Sequence, residues 1–152
     1  MLEIAVLGLL NQSPMHGYEL RKRLSTLLGT FRAFSYGSLY PSLRRLSEAG
    51  WISEEEPLEP PASTVTTGAR SRRGKRVYRL TAEGKEHLAD LLADVGPDAF
   101  DDEGFGARLA FFAQTRSDIR LQVLEGRRRR VEEQREGLGS GLARTGQRLD
   151  RY

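Results

Sequence analysis

One stretch constrains this chain more than any other: "YGSLYPSLRRLSEAGWI", residues 36–52. Leu39, Leu43 and Leu46 recur at intervals of four and three, so a helix built here carries them on one face. With Ser38 as N-cap, Pro41 falls at the third helical position, where its missing N–H has no intrahelical acceptor to lose. Gly50 then ends the helix. The face opposite the leucines is read as Tyr40, Ser42, Arg44, Arg45 and Ser47. The sequence therefore specifies a short helix with a dry leucine side and a wet side of hydroxyls and guanidiniums.

The surroundings of that helix follow a simple order. An apolar run, Leu2, Ile4–Leu7, Leu9 and Leu10, reads as a buried first helix, with Gly8 allowing close approach of a neighbour. Ser13-Pro14 is expected to be the N-cap and first position of a second helix, which carries Leu20, Leu24, Leu27 and Leu28 inward and Arg21, Lys22 and Arg23 outward, and stops at Gly29. After Gly50, "WISEE" and "KRVYRL" read as two strands of a hairpin. Between them runs "EPLEPPASTVTTGARSRRG", rich in Pro, Ser, Thr and Gly and then basic. Thr81 opens a further helix whose apolar face is Leu88, Leu91, Leu92 and Val95. "GPDAFDDEGFG" reads as an acidic, glycine-broken linker, and "ARLAFFAQT" as a short apolar helix. From Asp118 the chain is helical and charged, with Leu124, Val131 and Leu138 seven apart and Leu121, Leu142 and Leu149 on adjoining positions. Arg128 and Arg135 interrupt that seam and four glycines between 137 and 146 weaken it, which makes an imperfect coiled-coil segment.

Three helices followed by a two-stranded hairpin are the winged helix-turn-helix arrangement, so the expected fold is mainly α (α+β), with a C-terminal helical arm. In that arrangement the third helix enters the major groove of double-stranded DNA, which is about 12 Å wide and admits one helix. The leucines then anchor the helix, and Ser38, Tyr40, Pro41, Ser42, Arg44 and Arg45 form the candidate reading surface. The wing candidates are Arg70, Arg72, Arg73, Lys75 and Arg76, five basic residues within seven positions, suited to the phosphate backbone or a narrow minor groove. His16 and Tyr18, at the start of the second helix, together with Lys22, are candidate contacts to the DNA backbone, since helix N-termini favour phosphate.

Charge agrees with that division. Residues 1–80 hold 12 Lys and Arg against 7 Asp and Glu, a net +5; residues 81–152 hold 12 against 14, a net −2. One half is suited to a polyanion and the other to a different task. With no Cys there is neither a disulfide framework nor thiolate chemistry, and no run approaches the 18 apolar residues of a membrane helix. His16 and His87 are too far apart and too poorly accompanied for a metal site, and no phosphate-binding glycine loop occurs, so no catalytic, metal or cofactor residues are expected. Trp51 reads as a core residue that an aromatic ligand would meet only at a dimer interface. A cytoplasmic protein, neither enzyme nor membrane protein, is the economical expectation.

Three segments, "MHGYEL", "YGSLYPSLRRLSEAGWI" and "GKRVYRLTAEG", resemble the PadR family of bacterial transcriptional regulators over residues 1–95. "DDEGFGARLAFF" and the arm from Asp118 to Glu136 resemble the dimerisation region of its longer-tailed subgroup. The resemblance implies a DNA-binding domain over 1–95, a linker and short helix over 96–117, and a dimerisation arm over 118–152. It implies a homodimer on an inverted repeat, commonly a repressor that releases DNA on binding a small, often aromatic, effector. Leu2, Leu9, Phe111, Phe112, Leu121, Leu124, Val131 and Leu138 are the dimerisation candidates under that implication. Two departures stand out: the inter-strand stretch is longer and richer in Pro, and "RLDRY" falls where longer-tailed members continue into another helix, so that the expectation is either a truncated arm or dimerisation over less surface. The competing reading is a winged-helix module that binds protein rather than DNA.

Overall fold

A computed structural model describes residues 1–29, 36–55 and 76–149. The expected order is present, with one addition. Helix α1 (Leu2–Gln12) is followed by a two-residue strand β1 (Met15–His16), α2 (Gly17–Gly29), a 3-10 turn at Tyr36–Ser38, and α3 (Leu39–Glu48). Strands β2 (Ile52–Glu55) and β3 (Val77–Leu80) come next, then α4 (Ala82–Ala93), a 3-10 turn at Pro97–Ala99, α5 (Asp102–Ala110), a third 3-10 turn at Phe112–Gln114, and the long α6 (Ser117–Leu149). The sheet order is β1-β3-β2, antiparallel throughout, with Ile52 opposite Leu80 and Glu54 opposite Tyr78 on one side of β3 and Met15 opposite Tyr78 on the other.

Strand β1 corrects the reading of Ser13-Pro14 as a helix start. Ser13 is instead the extended C-cap of α1, and its N–H donates to the Leu9 carbonyl. The two residues after Pro14 pair with β3 before α2 begins at Gly17, whose N–H donates to the Arg76 carbonyl.

Helix α1 is the hub, because every residue from Ile4 to Leu10 is buried. Around it pack Leu20, Leu24 and Leu28 from α2, Leu39, Leu43 and Leu46 from α3, Ile52 and Leu80 from the strands, and Leu88 and Leu92 from α4. Each such leucine contributes about 1.5–3 kcal/mol when removed from water. Phe111, at the end of α5, is fully buried and its ring lies on the bare Cα of Gly8 in α1. Gly8 therefore serves the close approach that the sequence suggests.

The junction between the third helix and the fourth is equally tight. Helix α3 stops where Gly50 adopts φ 78°, a left-handed conformation that glycine takes without strain. Thr81 caps α4 by accepting from the Gly84 N–H at 3.0 Å, and its own hydroxyl donates to the Gly50 carbonyl at 2.7 Å. Gly84 lies against the Trp51 carbonyl, with no room for a Cβ.

The acidic segment is not a linker. Asp101 caps α5 by accepting from the Gly104 N–H at 2.6 Å, so the helix starts within "DDEGFG" and ends at Ala110, earlier than the apolar pattern suggests. Arg108 is buried there, and its Nη2 donates to the carbonyls of Asp94 (2.6 Å) and Leu91 (3.2 Å) at the end of α4. Burial pushes this guanidinium below its usual pKa, opposed by Asp94, Asp101 and Asp98. Helix α6 is fastened by Arg127, which donates to the Phe100 carbonyl at 2.9 Å, pairs with Asp102 at 2.5 Å and lies over the Phe105 ring. Phe100 packs on Gly126, and Val123 is buried.

Two substitutions test this packing. In an open helix Gly84→Ala would stabilise by about 1 kcal/mol. Against the Trp51 carbonyl the same change should lower the thermal midpoint, and a raised midpoint would show that the junction yields. Ser42 Oγ is buried without a hydrogen-bond partner among the described residues, so Ser42→Ala removes an uncompensated polar group and should leave stability unchanged or raise it by up to about 1–3 kcal/mol. A loss of stability in thermal melts would contradict that placement.

Candidate nucleic-acid interface

Helix α3 presents a surface narrower than its sequence suggests. Leu39, Leu43 and Leu46 are inside, as expected, and Ser42 joins them at 7% exposure. Ser42 is therefore not a candidate for touching a ligand: it stands three residues after Leu39 and four before Leu46, and that position outweighs its polarity. Ser38 holds the N-cap position without a side-chain cap hydrogen bond, and Pro41 is at the third helical position and exposed. The outward surface thus consists of Ser38, Pro41, Arg44 and Arg45, with Tyr40 half-buried against the core.

The two arginines are held differently. Arg44 faces Glu48 on its own helix at 3.9 Å, with both side chains largely exposed. At 3.6 Å the Arg45 guanidinium meets Glu3 of α1, whose carboxylate is only 24% exposed. Glu3 also contacts His87 of α4 at 2.6 Å, and the His87 ring stacks on Trp51 at 3.5 Å with 13° between planes. Neither Glu3 nor His87 stands out in the sequence as part of this surface, because nothing local relates positions 3, 45 and 87. Trp51 packs against the core, as expected.

Beside α3 lies the root of the hairpin. Tyr40, Pro41, Arg44, Glu54, Arg76 and Tyr78 line a groove between the helix and strands β2 and β3. Arg76, expected on the wing, pairs with Glu54 across the strands at 2.7 Å. The other wing candidates, Arg70, Arg72, Arg73 and Lys75, lie outside the described residues. His16, Tyr18 and Lys22 are exposed on β1 and α2, Tyr18 at 68%.

The dimerisation candidates separate into two groups. Leu9 and Phe111 are core residues, 4% and 0% exposed, so neither is free to meet a second chain. Their apolar character is satisfied within one subunit, Phe111 by Gly8 and Leu9 by the α1 hub. Leu2 packs against the same core and Phe112 is half-buried. Leu121, Leu124, Val131 and Leu138 are 45–71% exposed along α6, and Leu142 continues the row. Arg128 and Arg130 pair with Glu132 and Glu133 on the same helix.

Among the described residues no cluster of three metal-binding side chains occurs, and no helix is long and apolar enough to cross a membrane.

Comparison with known proteins agrees with this geometry. Residues 6–90, more than half of the chain, match the profile of the transcriptional regulator PadR-like family. The chain is 30% identical over 92 residues to the negative transcriptional regulator PadR of Bacillus subtilis, and that match spans 60% of this chain and 45% of the relative. The crystal structure of Bacillus subtilis PadR in complex with operator DNA superposes with a TM-score of 0.51 at 25% identity, covering 92% of this chain and 74% of the other. That of smu.1604c from Streptococcus mutans UA159 does so at 0.51 and 28%, covering 93% and 77%. The two structural matches extend over most of the chain, arm included, and with the family profile spanning more than half of its residues the chain belongs to the transcriptional regulator PadR-like family.

Proposed function

We propose that this protein regulates transcription by binding double-stranded DNA as a homodimer on an inverted repeat, acting as a repressor. The observation that carries the reading is the outward face of α3, where Arg44 and Arg45 stand exposed over a helix anchored by three buried leucines. Arginine's fork of donors matches the O6 and N7 acceptors of guanine in the major groove, or the oxygens of phosphate. The solved relative with operator DNA supports the same use of the fold. In this reading residues 1–95 are the DNA-binding unit, 96–117 connect it, and 118–152 are the dimerisation arm.

The arm suits that role. A helix of 33 residues is about 50 Å long, and its row of Leu121, Leu124, Val131, Leu138 and Leu142 is uncovered in the single chain. A second copy of the same helix would cover it, with Arg128 and Arg135 limiting how tightly the seam closes. Two recognition helices would then be held about 34 Å apart, one turn of DNA. A small, often aromatic, effector that turned the two halves about the arm would misplace them and release the operator; the resemblance is the ground for that step.

Duplexes selected from a genomic fragment library test the reading. Arg45→Ala should weaken binding to the selected duplex by about 1–3 kcal/mol and relax the base preference at one position of each half-site. Arg73→Ala should weaken all duplexes alike and reduce the salt slope by about 0.9. Unchanged affinity in both variants, with weak and sequence-blind binding by the parent, would instead favour a protein-binding module.

A further inference from the structure

We infer that Glu3 is a positioning residue for Arg45, and that His87 and Trp51 hold Glu3 in place, so that base discrimination by the third helix is set partly from α1 and α4. The inference rests on the DNA-binding reading above and adds to it the residues that fix the reading side chain.

The geometry is a chain of contacts running outward from the core. Trp51 is pinned by its backbone: its N–H donates to the Leu46 carbonyl at 3.0 Å, and its carbonyl accepts from the Thr81 N–H at 3.1 Å. The indole is stacked on the His87 ring. The His87 Nε2 lies 2.6 Å from Glu3 Oε1, which leaves Glu3 Oε2 to face Arg45 Nη2 at 3.6 Å. A half-buried carboxylate, fixed at one oxygen by a stacked ring, is a far stiffer anchor than the exposed Glu48 that faces Arg44.

A free arginine side chain on a helix surface samples many rotamers, and a bidentate contact with guanine admits few of them. A guanidinium has five N–H donors, and the 3.6 Å ion pair with Glu3 is too long for a hydrogen bond and leaves all five available. Arg45 can therefore stay tethered and still offer a two-pronged face outward. The tether restricts the direction of that face, which favours one base geometry over a loose contact with phosphate. The Glu3 charge acts in the same direction, since a carboxylate near the DNA surface disfavours nonspecific approach of the backbone.

Selection from a library of randomised duplex DNA, with sequencing of the bound fraction, provides the test. It is carried out for the parent, Glu3→Gln, His87→Phe, Arg45→Ala and the Glu3→Gln/Arg45→Ala double variant. His87→Phe keeps a ring on Trp51 but loses the nitrogen that holds Glu3, so it remains informative if Glu3→Gln proves unstable in thermal melts. The expected result is that Glu3→Gln reduces discrimination at the Arg45-dependent position by about tenfold, the lower part of what one bidentate contact supplies. His87→Phe should shift the same position in the same direction by less. In the Arg45→Ala background Glu3→Gln should change that position no further.

Three outcomes are distinguishable. If Arg45→Ala flattens one position while Glu3→Gln and His87→Phe leave it sharp, the positioning role is wrong and the DNA-binding reading stands. A Glu3→Gln effect that persists without Arg45 means that Glu3 acts by another route, which also overturns the inference. If Arg45→Ala alters nothing in the selected sequences, the assignment of the reading surface fails first.

Discussion

The ring of Phe111 on the bare backbone of Gly8 is the contact on which the relation between the two halves of this protein depends. It brings the end of α5 onto the helix that α2, α3, β3 and α4 also pack against, so α5 is seated against the same hub that orients the third helix. From there Arg108 ties α5 to the end of α4 through two carbonyls, and Arg127 ties α6 to α5 through Phe100 and Asp102. These are hydrogen bonds from charged donors to fixed backbone or carboxylate acceptors, among the stronger polar contacts a protein makes. The result is a packed connection rather than a flexible one.

That stiffness matters for a regulator of this family. If two copies join through their arms, the distance between recognition helices is carried through α6, α5 and α1 to α3. A protein reading two half-sites must match the pitch of DNA, and a loose connection would allow many spacings with similar energy.

Much of this was legible in the sequence, and the reasons are local. The spacing of Leu39, Leu43 and Leu46, with Pro41 in the first turn and Gly50 beyond the end, locates α3 because helix periodicity and termini are short-range properties. Thr81 likewise announces its helix. What escaped is non-local or set by context. A two-residue strand has no period, so β1 is visible only once Met15 is seen opposite Tyr78. The segment around Asp101 looks like an acidic loop by composition, yet one aspartate three residues before a glycine N–H is enough to cap α5. Ser42 shows the opposite error, since its spacing placed it with the leucines and its hydroxyl suggested solvent. Leu9 and Phe111 have the apolar character of an interface, but burial within one subunit already accounts for it. The Glu3, His87 and Trp51 contacts join three separated segments, and no pattern in a single sequence links them.

Methylation interference on the selected operator tests whether α3 enters the major groove. A methyl group at guanine N7 blocks the major-groove acceptor to which an arginine of α3 would bind. Binding should be lost when guanines are methylated in two clusters about 34 Å apart along one face of the duplex, with Arg45→Ala insensitive to the guanine that Arg45 reads. Binding that tolerates N7 methylation at every guanine would contradict entry of α3 into the major groove and remove the basis for sequence reading by this surface.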